Sequence, residues 1–275
     1  IFCAEQSLEG LGAVLSLDDE YRDPTKLVVF VDNHDMSRLV SACEHDSAKI
    51  RAALKTLLVL RGIPALMYGT EAALAGENEI LARRDMDFEN QSLAPLLRDG
   101  LAQRQRLPTL AFGKTLFWEM SPKTLSMLRW DSQGLLWVSI NADASPRTFN
   151  LLNRSSGPIA AFDVNVEALQ GEHRYNVETL ILSQPRPTHV VFHLKARESQ
   201  IAWLAGSAAE LGSWNHPVGP FKGKDDARLE LDLQGGHIYA YKLLWQAPPR
   251  EPEWEPRENR YLLVPIEPAA TRLDV

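Results

Sequence analysis

Residues 27–31, LVVFV, and residues 63–68, IPALMY, are two short apolar runs on either side of a helical pattern. In the segment between them, Ile50, Leu54, Leu57 and Leu58 recur at helical spacing, and Gly62 is suited to the position just past a helix end. Strands joined through a helix run parallel, because the helix carries the chain back to the starting edge. Continuous apolar runs are also how strands buried on both faces read. Residues 5–17 predict a short helix weakened by two glycines. Leu93, Leu96, Leu97 and Leu101 predict another, stopped before Pro108. Residues 27–105 therefore read as a parallel α/β unit.

After residue 108 the pattern changes. TLFWEM, TLSMLRW, LLWVSIN and TFNLL are short strands between turn residues with no intervening helix, which predicts an antiparallel β domain over 108–185. SQPRPTH (183–189) reads as a linker. Beyond it, HVVFHLKA, IAWLAG, ARLELDLQGG, HIYAYKLLW and RYLLVP are spaced like the strands of a β-sandwich. The expected divisions are 1–107, 108–185, 186–267 and a tail at 268–275.

Charge and composition exclude several classes. A net charge of −7 argues against a nucleic-acid partner, which needs a basic face. No apolar run approaches the ~18 residues of a membrane span. Cys3 and Cys43 are too few for a disulfide framework or a zinc site, and they do not decide the compartment. Seventeen prolines and seven tryptophans suit a loop-rich, partly β protein. The chain begins at Ile1 with no signal-peptide pattern, so it is expected to be processed or cut from something longer. The missing signal carries no information about export.

Asn33, His34 and Asp35 stand at the end of the first strand; Gly69, Thr70 and Glu71 stand at the end of the second. Ligands of parallel α/β units meet the carboxyl ends of the strands. The residues alone leave two readings open, a ligand contact or a hydrogen-bonded loop cap. FVDNHDMSR (30–38) and RGIPALMYGTE (61–71) together resemble strands seven and eight of the α-amylase family's catalytic (β/α)8 barrel. ARRDMDF (82–88) is similar to the stretch that follows there, departing at Ala82 and Phe88.

That resemblance covers about residues 15–105. It implies that Asp35 is the carboxylate that hydrogen-bonds hydroxyls 2 and 3 of the sugar being cleaved, stabilising the transition state. It makes His34 a donor to the same hydroxyls, Asn33 a loop-orienting residue beside the substrate, and Arg84 an added subsite contact. Tyr68 and Glu71 are read as structural. Retaining glycosidases need a nucleophile and a general acid about 5–5.5 Å apart. The family carries these on strands four and five, and no matching motif lies in residues 1–27. The chain is therefore expected to be the C-terminal part of such an enzyme, inactive alone, with one edge of its first strand open.

LAGSAAELGSW, YAYKLLW and PEWEPRENRYLLVP, in order within residues 189–265, resemble the starch-binding domain classed as carbohydrate-binding module family 20. The resemblance implies that Trp214 and Trp254 stack on glucose rings while Lys242 and Asn259 bond hydroxyls, with Glu255 as a further contact. Sugar C–H faces suit flat aromatic surfaces, and polar groups at the rim fix orientation. A loop-anchoring role is the alternative for each tryptophan. Lys242 alternates with Tyr239, Tyr241 and Leu243 and can face away from the core. Trp203 matches an aromatic of the family's second sugar site, although the loop HPVGPFKGKDDAR is short. Trp245 is read as core.

The expected whole is a multidomain α/β plus all-β chain: the last strands of a (β/α)8 barrel, an antiparallel β domain and a starch-binding β-sandwich. Its expected parent is an extracellular, monomeric α-amylase-type hydrolase acting on α-1,4-glucans such as starch or glycogen. The alternatives are a glucanotransferase of the same family and a non-catalytic starch-binding protein. The sequence shows no cofactor or metal ligands, and any calcium is expected in a part of the enzyme outside this chain.

Overall fold

The computed structural model describes residues 1–142, 149–150, 159–160, 165–166, 176–183, 186–195, 197, 199–223, 226–256, 258–264 and 271–274. Packing divides the chain into two compact units. One comprises Ile1–Arg147 with Ala168–Ile181; the other comprises Thr148–Glu167 with Leu182–Val275.

The first unit opens with α1 (Leu8–Ser16), capped by Ser7 Oγ, which accepts from Glu9 N at 3.1 Å. β1 (Val28–Val29) follows, then α2 (Leu39–Ala42) and α3 (Ser47–Val59). Asp46 caps α3 by accepting from the backbone N–H groups of Ala48 and Lys49 at 2.9 and 3.2 Å, an arrangement worth about 1 kcal/mol. β2 (Ile63–Pro64) pairs parallel with β1, with Val28 opposite Ile63 and Val29 opposite Pro64.

These strands are shorter and more open than the apolar runs predict. Val28, Phe30 and Ile63 are 59%, 51% and 53% exposed, because the described sheet has two strands and nothing described covers its outer edge. Gly62 does not end α3 either, since Leu60 is the cap. Its φ is +90° and a Cβ there would collide with the Leu27 carbonyl oxygen, so it is glycine because β1 and β2 approach closely. The carbonyls left at the end of α3 are taken by buried Arg104, which donates to Leu58 O, Leu60 O and Gly62 O.

Next come α4 (Glu79–Ala82), α5 (Ala94–Arg106) and α6 (Thr109–Phe112), then a sheet in the order β3 (Lys114–Met120), β4 (Thr124–Asp131), β5 (Gly134–Asn141) and β9 (Asn176–Ser183), in which β4 pairs antiparallel with both β3 and β5. Leu8, Leu15, Ile50, Leu54 and Leu97 share one apolar core with Leu125, Met127, Val138 and Val177. The expected division at 107/108 thus does not divide this core. Cys3 and Cys43, expected to be too few for a framework, form a disulfide that ties the amino end to the segment before α3.

In the second unit, β6 (Phe149–Asn150) pairs with β8 (Asn165–Val166). β7 (Ile159–Ala160) joins one edge of a sheet that also holds β11 (Ile201–Gly206), β13 (Ile238–Gln246) and β15 (Arg260–Leu263), while β14 (Glu253–Trp254) pairs with β13. A second sheet runs β12 (Asp226–Gly235), β10 (Arg186–Lys195), β16 (Thr271–Asp274).

Alternate residues of both sheets meet in one core: Val190, Phe192, Leu194 and Leu233 from one, Leu204, Tyr239, Tyr241, Leu243 and Leu262 from the other. Phe192 and Tyr241 meet edge-on with ring centroids 5.7 Å apart. Two expectations are corrected here. The linker predicted over 183–189 is largely strand, since Arg186 already pairs with Gly235, and the predicted tail contributes β16, parallel to β10. The hydrophobic pattern hid both, because prolines at 185 and 187 read as a break and four residues are too few to show alternation.

Candidate functional site

The loop after β1 is built by short-range hydrogen bonds. Asn33 Oδ1 accepts from Asp35 N at 2.9 Å, an Asx turn that sets the direction of Asp35. His34 Nε2 lies 3.2 Å from Asp35 Oδ1. Arg83, at the end of α4, donates from Nη2 to Asp35 Oδ1 at 3.1 Å and to Glu79 Oε1 at 2.7 Å, and from Nε to His34 O at 3.2 Å. Asp35 is 62% exposed, so this pairing orients the carboxylate rather than stabilising the fold.

A buried pair underlies the loop. Asp32 is 4% exposed and Arg38 is fully buried, with Arg38 Nε 3.3 Å from Asp32 Oδ2. Asp32 Oδ2 also accepts from Leu39 N at 2.8 Å, holding the start of α2. Arg38 Nη2 donates to Tyr68 O at 2.7 Å, and its guanidinium lies 5.6 Å from the Tyr68 ring centroid. Tyr68 in turn donates from its hydroxyl to Arg84 O at 2.9 Å. Arg38 and Tyr68 thereby fix the loops after β1 and β2 to each other.

The structure brings Asn33, His34 and Asp35 together but turns Arg84 elsewhere. Arg84 Nε donates to Leu81 O at 3.3 Å, within its own turn. Arg84 was expected as an added subsite contact; the residue beside Asp35 is its neighbour Arg83, which the sequence reading did not single out. Adjacent arginines at a helix end point about 100° apart, and the spacing Glu79–Arg83 (i,i+4) was the signal that favoured Arg83.

The second cluster lies in the other unit. Trp214 ends a 3-10 segment, Ala209–Trp214, whose last three residues have φ of +77°, +47° and +65°. Left-handed backbone at Ser213 and Trp214 is costly, of order 1–3 kcal/mol each, and such strain gathers at functional sites. Trp254 on β14 is 45% exposed. The two rings sit 6.2 Å apart at 53°, forming an open V of aromatic surface.

Lys242 is half-buried on β13 opposite Ala205, out of phase with buried Tyr241 and Leu243. Asn259 is exposed just before β15. Glu255, expected to contact sugar, is corrected. It is 6% exposed, and its Oε1 accepts from Leu243 N and Arg260 Nε, each at 3.0 Å, while Oε2 accepts from Arg260 Nη2 at 2.8 Å. A carboxylate held on three sides inside the unit joins β13 to β15 instead. Trp203 is half-buried on β11 with Gly219 against its ring. Trp245, expected in the core, packs at its margin with the Arg197 guanidinium 4.0 Å over its ring.

No family model matches the chain. An intracellular maltogenic amylase of Bacillus subtilis (strain 168) is 35% identical over 94 residues, covering 33% of this chain and 16% of that protein. A cyclomaltodextrin glucanotransferase of Bacillus sp. (strain 1-1) is 29% identical over 144 residues, covering 52% of this chain and 20% of that protein. Its relatives are α-amylase family enzymes.

The chain therefore spans a sixth to a fifth of these relatives' length. Among solved structures, an Anoxybacillus α-amylase superposes over 90% of this chain and 44% of its own, with a TM-score of 0.51 at 19% identity. The ligand-free cyclic α-maltosyl-(1→6)-maltose hydrolase of Arthrobacter globiformis covers 64% of this chain and 40% of its own, with a TM-score of 0.50 at 20% identity. These neighbours bear on the fold alone. Among the described residues, no helix is long and apolar enough to cross a membrane, and no group of three or more His, Cys, Asp or Glu side chains is placed to hold a metal ion.

Proposed function

We propose that this chain is part of an extracellular α-amylase-type enzyme acting on α-1,4-glucans, in which Asp35 binds the sugar at the bond being cleaved and the second unit holds the polysaccharide. The observation that carries this reading is the Asp35 cluster: a carboxylate oriented by Asn33, His34 and Arg83 at the carboxyl end of parallel strands. As a glucose ring flattens toward an oxocarbenium ion, hydrogen bonds from its 2- and 3-hydroxyls to Asp35 strengthen, which favours the transition state over the ground state. His34 supplies a donor to the same hydroxyls.

The nucleophile and general acid come from polypeptide outside these 275 residues. Whether water or another sugar hydroxyl then accepts the glycosyl group decides between hydrolysis and transfer. The V of Trp214 and Trp254, with Lys242 and Asn259 as polar partners, supports starch binding by the second unit. The Cys3–Cys43 disulfide supports an oxidising compartment.

The test uses the 275-residue chain with granular starch. The expected result is retention on starch, competed by β-cyclodextrin, with no reducing-sugar release. Failure to bind overturns the starch-binding role. Turnover on the order of 1 s⁻¹ or more overturns the assignment of the nucleophile and acid to other polypeptide.

A further inference from the structure

Behind Trp254 lies a cavity of about 170 Å³, walled by the two indoles Trp245 and Trp254 and rimmed by Arg197, Gln200 and Arg250. We propose that this cavity is a further glucosyl subsite, contiguous with the Trp214–Trp254 pair, that takes the next sugar of an α-glucan chain. The proposal rests on the reading of that pair as a starch-binding surface.

Trp254 belongs to both places. It stands 6.2 Å from Trp214 and also forms a wall of the cavity. The aromatic pair and the cavity are therefore adjacent, with Trp254 common to both. The lining has the chemistry of a neutral polyol site. Glu251 and Glu253 balance the charges of Arg197 and Arg250, so the cavity favours neither an anion nor a cation. Planar guanidinium and amide groups can bond vicinal hydroxyls in pairs, while indole surface takes the C–H face of the ring. Glu255 also lines the space, but its carboxylate is held by Leu243 and Arg260.

The rim is fixed before any ligand arrives. Arg250 N donates to Ala247 O at 2.9 Å, Gln246 Nε2 donates to Arg250 O at 3.2 Å, and Pro248, Pro249 and Pro252 restrict the loop. Arg197 is held by stacking on Trp245. A rim already ordered loses little entropy on binding.

The experiment compares maltose with maltoheptaose binding to the whole 275-residue chain by calorimetry. The variant is the double substitution Gln200→Ala with Arg250→Ala. Both side chains are exposed, and the hydrogen bonds that shape the Arg250 loop use its backbone, so the fold is kept. Maltose, short enough for the aromatic pair alone, should bind the variant as it binds wild type. Maltoheptaose should bind ~5- to 20-fold more weakly, the scale of one or two lost hydrogen bonds. Equal weakening of both sugars, or of neither, overturns the subsite. Trp214→Ala separates the two readings: it should weaken both sugars, and if it weakens neither, the aromatic pair itself has been misassigned.

Discussion

Arg83 Nη2 lies 3.1 Å from Asp35 Oδ1, joining the end of α4 to the loop after β1 across 48 residues of sequence. The same nitrogen holds Glu79 at 2.7 Å, so the guanidinium is fixed from its own helix before it meets the loop. In a starch-cleaving protein that carries this chain, Asp35→Asn should lower kcat by ~10²-fold or more with little change in KM, because the lost bonds strengthen in the transition state. Arg83→Gln should cost less, about tenfold in kcat, since His34 and the Asn33 turn still orient Asp35. Neither change should move the melting temperature appreciably, as both side chains are largely exposed. Steady-state kinetics on soluble starch checks both; an Asp35→Asn variant with near-normal kcat would reduce the residue to a loop cap.

The bridge between Cys3 and Cys43 closes a separation of 40 residues. Constraining the unfolded chain over that span is worth ~2–4 kcal/mol. Cys43 is buried within the first unit's core, so Cys3→Ser, which leaves the buried thiol in place, is the cleaner variant. It should melt several degrees lower than wild type, and reduced wild type should melt with it. Scanning calorimetry with and without reductant reads this directly.

How much of this was legible in advance depends on which residues carried local signals. The parallel pairing of β1 and β2 followed from the strand–helix–strand order, and the spacing of Ile50, Leu54, Leu57 and Leu58 announced α3. The openness of Val28 and Ile63 did not, because an apolar run reports what a residue favours rather than whether neighbours are there to cover it. The exposure of Trp254 is what its polar, proline-flanked setting in PEWEPRENR favours. Glu255, its immediate neighbour, carried the same setting and was misread. Only the structure shows its carboxylate turned inward to Arg260. Arg83 is a similar case: nothing in the composition singled it out as the partner of Asp35, and its spacing from Glu79 on the helix is what places it there.

His189 on β10 faces two carboxylates of β12, with Nδ1 3.0 Å from Asp232 Oδ1 and Nε2 3.5 Å from Glu230 Oε2. The hydrogen bond to Asp232 raises its pKa above the ordinary 6.5. A raised pKa in the folded state means the protonated form is favoured by folding. The contribution is fully present below about pH 6.5 and is lost as pH climbs through the folded value. The second unit should therefore melt slightly higher at pH 6 than at pH 8, and His189→Gln should flatten that difference. The effect is small because the ring is exposed; a variant with an unchanged pH profile would remove His189 from the account.

Trp214, Trp254 and Trp245 make the sharpest contrast, because three tryptophans in one unit are given different work. Trp254 is 45% exposed on a two-residue strand, and Trp214 hangs from left-handed backbone, so truncating either removes exposed aromatic surface more than core. Trp214→Ala and Trp254→Ala should each weaken starch binding ~10- to 100-fold, the factor that corresponds to ~1.5–3 kcal/mol for a large apolar side chain, while the fold is kept. Trp245 packs against the core with Arg197 across its outer face. Trp245→Ala should therefore lower stability, by ~3 kcal/mol, the low end for a buried aromatic because the ring lies at the core's margin. Glu255→Ala should behave like Trp245→Ala, costing about 3 kcal/mol by leaving Arg260 without its carboxylate. Starch pull-down and thermal unfolding on all four variants separate the roles. A Trp254→Ala protein that binds like wild type, or a Glu255→Ala protein that keeps its stability and loses binding, would move the sugar surface from the two tryptophans to the carboxylate beside them.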